Sequence, residues 1–116
     1  MLLCLAVAFS VYVAWAADIA FVSPGEGATV TGPVRLELSL AESLGNAKVN
    51  YYLDLPSPPE VPKEWEKYVI GGSNMRPFAL VWDASLVPEG RHSITAKAYL
   101  DGDKEASATV TVFVQK

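Results

Sequence analysis

The sequence predicts an all-β protein, an antiparallel β-sandwich of about seven strands that follows one N-terminal hydrophobic helix. Three observations lead to this fold class. From Asp18 onward, apolar and polar residues alternate with the period of two that marks half-buried strands. Clusters rich in Gly and Pro separate these runs, and no long helical pattern lies between them. We therefore divide the chain into a hydrophobic segment at 1–17 and one sandwich at 18–116, an ordinary size for a single core.

The first half of the predicted sandwich contains three strands. A short strand at 19–22 ends in the turn cluster at 23–27, and a longer strand follows at 34–40. The third strand, at 49–53, places Tyr51 toward the core and Tyr52 outward, so that the Tyr52 ring is expected to be partly exposed. The inner face of the second strand consists of four aliphatic residues, Val34, Leu36, Leu38 and Leu40.

The second half of the sandwich begins at 78–82, where the even positions, including Trp82, face the core. The alternate positions of this strand are also apolar, which predicts a strand covered on both sides. Ile94, Ala96 and Ala98 face inward in the following strand, and Tyr99 has the outward phase. Asp101-Gly102 is a hairpin signal that leads into a last strand at 106–114.

A Pro-rich connection at 55–75 interrupts the strand pattern. Four prolines fall between Pro56 and Pro62, which predicts a stiff and extended start. Pro62 is well placed to open a short helix at 63–68, on which Trp65 and Tyr68 share one face. Trp65 either folds back to cover a sheet edge or contacts a partner, and the sequence leaves both open. In the alternative arrangement only 63–67 turns, and an edge strand covers 68–70.

Residues 1–17 carry no charged side chain, and two interpretations of them remain open. The first is a retained membrane or assembly helix, a little short of the bilayer core, with aromatic residues near its outer end. The second is a signal peptide cleaved after the Ala14-Trp15-Ala16 pattern, although no Lys or Arg precedes the apolar run. Both interpretations predict export, with the sandwich on the outer side of a membrane. The residues assigned to the membrane or assembly helix are Leu2, Leu3, Leu5, Phe9, Tyr12 and Trp15.

Composition and residue types argue against several functions. The formal net charge is -4 and the basic residues are scattered, which is unfavourable for nucleic-acid binding. His92 is the only histidine, and the only cysteine is Cys4, so neither a zinc site nor a cofactor site is predicted. Pairing of His92 with Asp83, Ser85 or Ser93 lacks a nucleophile motif, and a structural role is expected instead. We therefore predict no catalytic, metal-binding or cofactor-binding residues.

The chain resembles the bacterial Ig-like domains of secreted and surface proteins. The matching pieces, in order, are 21–24 with 27–32, then 48–54, 77–83, 89–96 and the terminal Val-Thr-Val run. The resemblance implies a seven-stranded immunoglobulin-like sandwich that acts as a spacer, adhesion or accessory binding module. It transfers no functional residues, because the family shares no common active site. The connection at 55–75 is longer than the family's short hairpin, which favours a specific docking role.

The functional prediction is a non-catalytic structural or interaction subunit of the cell envelope. The N-terminal helix would hold the domain outside the membrane, and the connection would contact partner proteins in a membrane complex or filament. The alternative is a soluble secreted or periplasmic module that binds carbohydrate or mediates adhesion, with a cleaved signal peptide. Exposed aromatic residues are frequent binding hot spots, so the predicted partner-binding residues are Trp65, Tyr68, Pro58 and Pro59.

Overall fold

The computed structural model describes residues 18–116, which form a two-layer β-sandwich of eight strands. The strands are β1 (Ile19–Ser23), β2 (Ala28–Val30), β3 (Pro33–Leu40), β4 (Ala47–Leu53), β5 (Val69–Ser73), β6 (Leu80–Asp83), β7 (Gly90–Leu100) and β8 (Glu105–Val114). Among these residues the helical pieces are four single 3-10 turns, at Glu42–Leu44, Trp65–Lys67, Ala84–Leu86 and Asp101–Asp103. The all-β sandwich predicted from the period-two pattern is thus confirmed.

The eight strands divide into sheets of three and five. The three-stranded sheet has the order β1-β3-β6, and the five-stranded sheet has the order β2-β8-β7-β4-β5. Neighbouring strands are antiparallel except β2, which runs parallel to β8. The chain changes sheets between β1 and β2 through a turn in which Gly27 has φ +79°, a conformation that favours glycine. The Gly27 N–H donates to the Thr111 carbonyl over 2.7 Å, which aligns β2 with β8.

The core lies between the two sheets and follows the predicted alternation. The inner residues of β3 are buried along its whole length, with Leu36 and Leu38 almost inaccessible. From the facing sheet, β4 and β7 contribute Val49, Tyr51 and Ile94, each with no exposed surface. The Tyr51 hydroxyl donates to the Phe78 carbonyl over 2.7 Å, so the one polar atom of this ring is satisfied inside the core. The predicted inner faces of these strands are therefore correct.

Several local predictions were wrong. Residues 18–116 form eight strands, one more than the approximate number expected, because β2 is too short to produce a recognisable alternation. Val81 is 63% exposed, so β6 is covered on one side only. The helix expected at 63–68 is a single 3-10 turn followed by the edge strand β5, as in the alternative arrangement. So short a segment gains too few hydrogen bonds to offset the cost of helix nucleation.

The predicted N-terminal helix, with Leu2, Leu3, Leu5, Phe9, Tyr12 and Trp15, lies outside the described residues. Within 18–116, no helix has the length and apolar character needed to cross a bilayer.

Candidate interaction site

The predicted connection at 55–75 contains the edge strand β5, so that the segment between β4 and β5 is limited to 55–68, and we call this segment the connection from here on. It lies over the outer face of the five-stranded sheet. Strand periodicity predicts that outward-facing Tyr52, Thr95 and Lys97 are in contact with water, yet they are 1%, 0% and 8% exposed. Leu55, at the start of the connection, is also buried. The predicted partial exposure of Tyr52 was therefore wrong, because this segment covers the sheet where the ring lies.

Lys97 ties the connection to the sheet near its middle. Its Nζ donates to the Pro59 carbonyl over 2.9 Å and forms an ion pair with Glu105, with 3.0 Å between Nζ and Oε1. A lysine this deeply buried is uncommon unless it is paired. The aliphatic stem of Lys97 fills space beneath the connection while its ammonium group holds the backbone of the Pro-rich segment.

A chain of aromatic contacts holds the second half of the connection. The Trp65 ring packs edge-on against Tyr52, with 6.1 Å between the ring centroids and 79° between the planes. This is the favourable T-shaped arrangement. The Tyr52 hydroxyl lies 3.1 Å from the Tyr99 hydroxyl. Burial, followed by this hydrogen bond, raises the pKa of Tyr99 above its usual range.

The ends of the connection are attached to the sheet by backbone bonds. At its exit, the Leu53 N–H donates to the Tyr68 carbonyl over 2.8 Å. At its entry, Asp54 adopts φ +53°, a left-handed conformation that Asp tolerates better than most residues, and its N–H donates to the Ser93 carbonyl over 2.8 Å. The connection is therefore held at its entry, middle and exit.

His92 reinforces the entry. Its Nδ1 lies 2.7 Å from Asp54 Oδ2 and its Nε2 lies 2.8 Å from the Pro88 carbonyl oxygen. The Ser93 N–H donates to the other Asp54 oxygen over 2.9 Å. Burial lowers the pKa of His92, but the bonds to Asp54 and Pro88 and the Asp54 charge outweigh it, so that the pKa is raised.

The expected structural role of His92 agrees with these contacts, since its carboxylate partner is Asp54 and not Asp83. Asp83 instead caps the 3-10 turn at Ala84–Leu86, accepting from the Ser85 N–H and Oγ–H over 3.0 and 2.7 Å. These two bonds lower the pKa of Asp83. Among residues 18–116, no three His, Cys, Asp or Glu side chains come close enough together to hold a metal ion.

The four predicted partner-binding residues all lie on the connection. Pro58 and Pro59 are exposed, Trp65 is 37% exposed, and Tyr68 is half-buried. Trp65 and Tyr68 belong to one turn, in which the Tyr68 N–H donates to the Trp65 carbonyl over 2.9 Å. Whether they contact a partner stays a prediction.

The sequence analysis did not identify the residues that hold the connection against the sheet. These are Tyr52, Asp54, Lys97 and Tyr99. A usable signal existed, since outward-facing polar and aromatic residues occur on two strands that become neighbours and a Pro-rich insertion begins directly after one of them.

The strand orders of the two sheets, with β1 in the three-stranded sheet and β2 in the five-stranded sheet, define an immunoglobulin-like β-sandwich. The model of the family described as "Bacterial Ig domain" matches residues 18–96, more than half of the chain. The chain belongs to this family, as the sequence resemblance predicted.

Solved structures show the same architecture. A structure of the fibronectin(III)-like modules of CbhA from Clostridium thermocellum is similar, with a TM-score of 0.62 and 14% sequence identity. The match covers 83% of this chain and 93% of that one. The endo-beta-1,4-mannanase from Thermotoga petrophila also matches, with a TM-score of 0.62 and 15% identity, over 85% of this chain and 20% of the mannanase. At these identities the likeness shows the fold alone. No curated protein sequence matches the chain.

Proposed function

We propose that this protein is a non-catalytic interaction domain of the cell envelope that docks onto partner proteins through the connection at 55–68. One observation carries the proposal. The connection is fixed to the sheet at its entry, middle and exit, yet Pro58, Pro59 and Trp65 remain exposed on it. A surface segment ordered before binding loses little conformational entropy on association, which favours affinity.

The chemistry of the exposed residues supports a protein partner. Trp is the residue most enriched at binding hot spots, and Trp65 is supported from beneath by the buried Tyr52 ring. Val69, 40% exposed at the start of β5, pairs in the sheet with Tyr52, the residue against which Trp65 packs. Lys67 and Glu64 form an exposed ion pair in the same turn, with 2.6 Å between Nζ and Oε1. An apolar centre with charged residues beside it is the usual anatomy of a docking surface.

Location outside a membrane is part of the proposal. Domains of this family occur often in extracellular proteins, and the uncharged segment 1–17 fits either a retained anchor or an export signal. We propose that the segment is retained and holds the domain in a membrane complex. The test is the intact mass of the protein purified from its native membrane. A mass that includes residues 1–17 supports the anchor, and a mass that begins at Ala17 or Asp18 refutes it.

Replacing Trp65 by Ala tests the docking surface. We expect Trp65→Ala to weaken co-purification with a native envelope protein about tenfold or more, as for a hot-spot residue, while the domain stays folded. The matched control is Val81→Ala, which shortens an exposed apolar side chain on the opposite sheet and should leave co-purification unchanged. Equal loss in both variants, or in neither, would contradict the assignment of the connection as the docking surface.

A second candidate is a soluble carbohydrate-binding or adhesion module. The observation that favours it is the Trp65 ring, since an exposed aromatic ring can stack on a sugar. The same variant separates the two functions. Under this candidate, Trp65→Ala weakens retention on immobilised polysaccharide and leaves protein co-purification unchanged.

A further inference from the structure

His92 makes two contacts that one neutral imidazole ring cannot both satisfy. Its Nδ1 faces a carboxylate oxygen of Asp54 at 2.7 Å, and its Nε2 faces the Pro88 carbonyl oxygen at 2.8 Å. An ionised carboxylate and a backbone carbonyl only accept hydrogen bonds, so each ring nitrogen must donate. Neutral imidazole carries a single N–H, and only the protonated ring makes both bonds.

The groups around His92 support the protonated ring. The Asp54 carboxylate faces it from the end of β4, and the uncharged Pro88 carbonyl faces it from the turn before β7. Its partner across the β7–β8 ladder is Val112, which is uncharged. Glu89, in the same turn as Pro88, accepts from the Lys116 N–H over 2.8 Å. Within residues 18–116, the charged group in contact with the ring is the Asp54 carboxylate, at 2.7 Å.

This contact lies where the connection starts. Asp54 directly follows β4, and its two carboxylate oxygens bind His92 and the Ser93 N–H. Leu55, the next residue and the first of the connection, is buried. Deprotonation of His92 removes one of its two N–H donors and the attraction between the positively charged ring and the Asp54 carboxylate. The contact at the residue from which the covering segment departs is therefore weakened.

We propose that His92 and Asp54 form a proton-operated clasp that holds the start of the connection more firmly when His92 is protonated than when it has lost its proton. The proposal rests on the proposed function, since the segment controlled is the proposed docking surface. The pKa of His92 is raised in the folded protein above the value near 6.5 of the unfolded chain. The stabilisation is therefore complete below pH 6.5 and is lost as the pH rises through the folded pKa. The start of the connection is then held more firmly below pH 6.5, while Asp54 is ionised, than above the folded pKa of His92.

The test is a pH titration of the full-length protein, which needs no partner. Nitrogen and proton NMR shifts of the His92 ring report its protonation, and amide exchange at Leu53, Lys67 and Tyr68 reports the connection. Exchange is expressed as protection factors, because intrinsic exchange itself accelerates with pH. We expect protection to fall about tenfold as His92 deprotonates, the factor that corresponds to one charge-assisted hydrogen bond.

Two variants make the test specific. Asp54→Asn keeps an acceptor for the Ser93 N–H and tolerates the left-handed backbone, but removes the charge. It should lower the pKa of His92 and remove the pH dependence of protection. Glu60→Gln removes an exposed carboxylate on the connection and should change neither the pKa of His92 nor the pH dependence of protection. Unchanged protection through the deprotonation of His92, or a His92 pKa that does not fall in Asp54→Asn, would overturn the clasp.

These readouts are independent of docking. A pH-dependent connection whose Trp65→Ala variant loses no partner would retain the clasp and refute the proposed function. If Trp65→Ala loses its partner but the amide protection of the connection does not depend on pH, the proposed function is retained and the clasp is refuted.

Discussion

Replacing Lys97 by Met removes the ammonium group that ties the connection to the sheet, and we expect a loss of about 1–2 kcal/mol in the free energy of unfolding. A hydrogen bond from a charged donor contributes roughly 1.5–3 kcal/mol, and the lower end applies here because water can reach the exposed Pro59. The ion pair adds only about 0–1 kcal/mol, since the Glu105 side chain is 50% exposed. Part of this loss is offset because folding of the variant no longer has to remove water from the charged ammonium group. Met preserves most of the buried stem, so the substitution isolates the polar contacts.

The assay is urea denaturation of the variant and the wild type, together with amide exchange across 55–68. We expect a lower midpoint with an unchanged slope, and a thermal midpoint lower by roughly 4–8 °C for each kcal/mol lost. Glu105→Gln is the matched control, because it removes the ion pair and leaves the bond to Pro59, and it should cost less than about 1 kcal/mol. A Lys97→Met variant as stable as the wild type, with unchanged exchange in the connection, would show that Lys97 does not hold this segment.

Two further predictions concern the core and the edge of the sandwich. Tyr51→Phe should destabilise the fold by about 1–3 kcal/mol in urea denaturation, because it leaves the buried Phe78 carbonyl without its donor; a neutral result would indicate that water replaces the hydroxyl. Gly72→Ala should cost about 1–3 kcal/mol by the same measurement, because its Cβ would lie 2.7 Å from the Val49 carbonyl oxygen, a backbone atom that cannot move aside. Gly25→Ala, where a Cβ meets nothing within 4 Å, is the control and should be nearly neutral. Equal effects at both glycines would contradict the packing argument.

The features of this fold that could be predicted from the sequence are those that depend on residues close together in the chain. Leu36 and Leu38 could be assigned to the core because alternation along one strand depends on neighbouring residues alone. The Asp101-Gly102 hairpin is equally local, and a turn joins β7 and β8 there. The family resemblance extended this local information to the immunoglobulin-like class of sandwich, but not to the strand order within each sheet.

The candidate site could be predicted only as far as its exposed residues. Trp65 stands out because it is an aromatic residue in a Pro-rich insertion, and the sequence allowed it to fold back over a sheet edge. That its neighbour there is Tyr52 depends on contacts that the local pattern does not contain. Lys97 occupies an outward position in the alternation of β7, and this position is the same whether water or another segment covers it. Its burial could therefore not be predicted from the sequence. The partner of His92 lies 38 positions away along the chain, and single-sequence periodicity carries no information over such a separation.

The parallel pairing of β2 with β8 also determines how the domain bears a mechanical load. Tension on the chain before Ala28 draws β2 backward along its axis, while tension on the chain after Val114 draws β8 forward. Because the strands run in the same direction, the two pulls slide them past each other, and the hydrogen bonds between them are strained together rather than one after another. A load applied between the two ends of the chain is thus shared by all the β2–β8 hydrogen bonds at once.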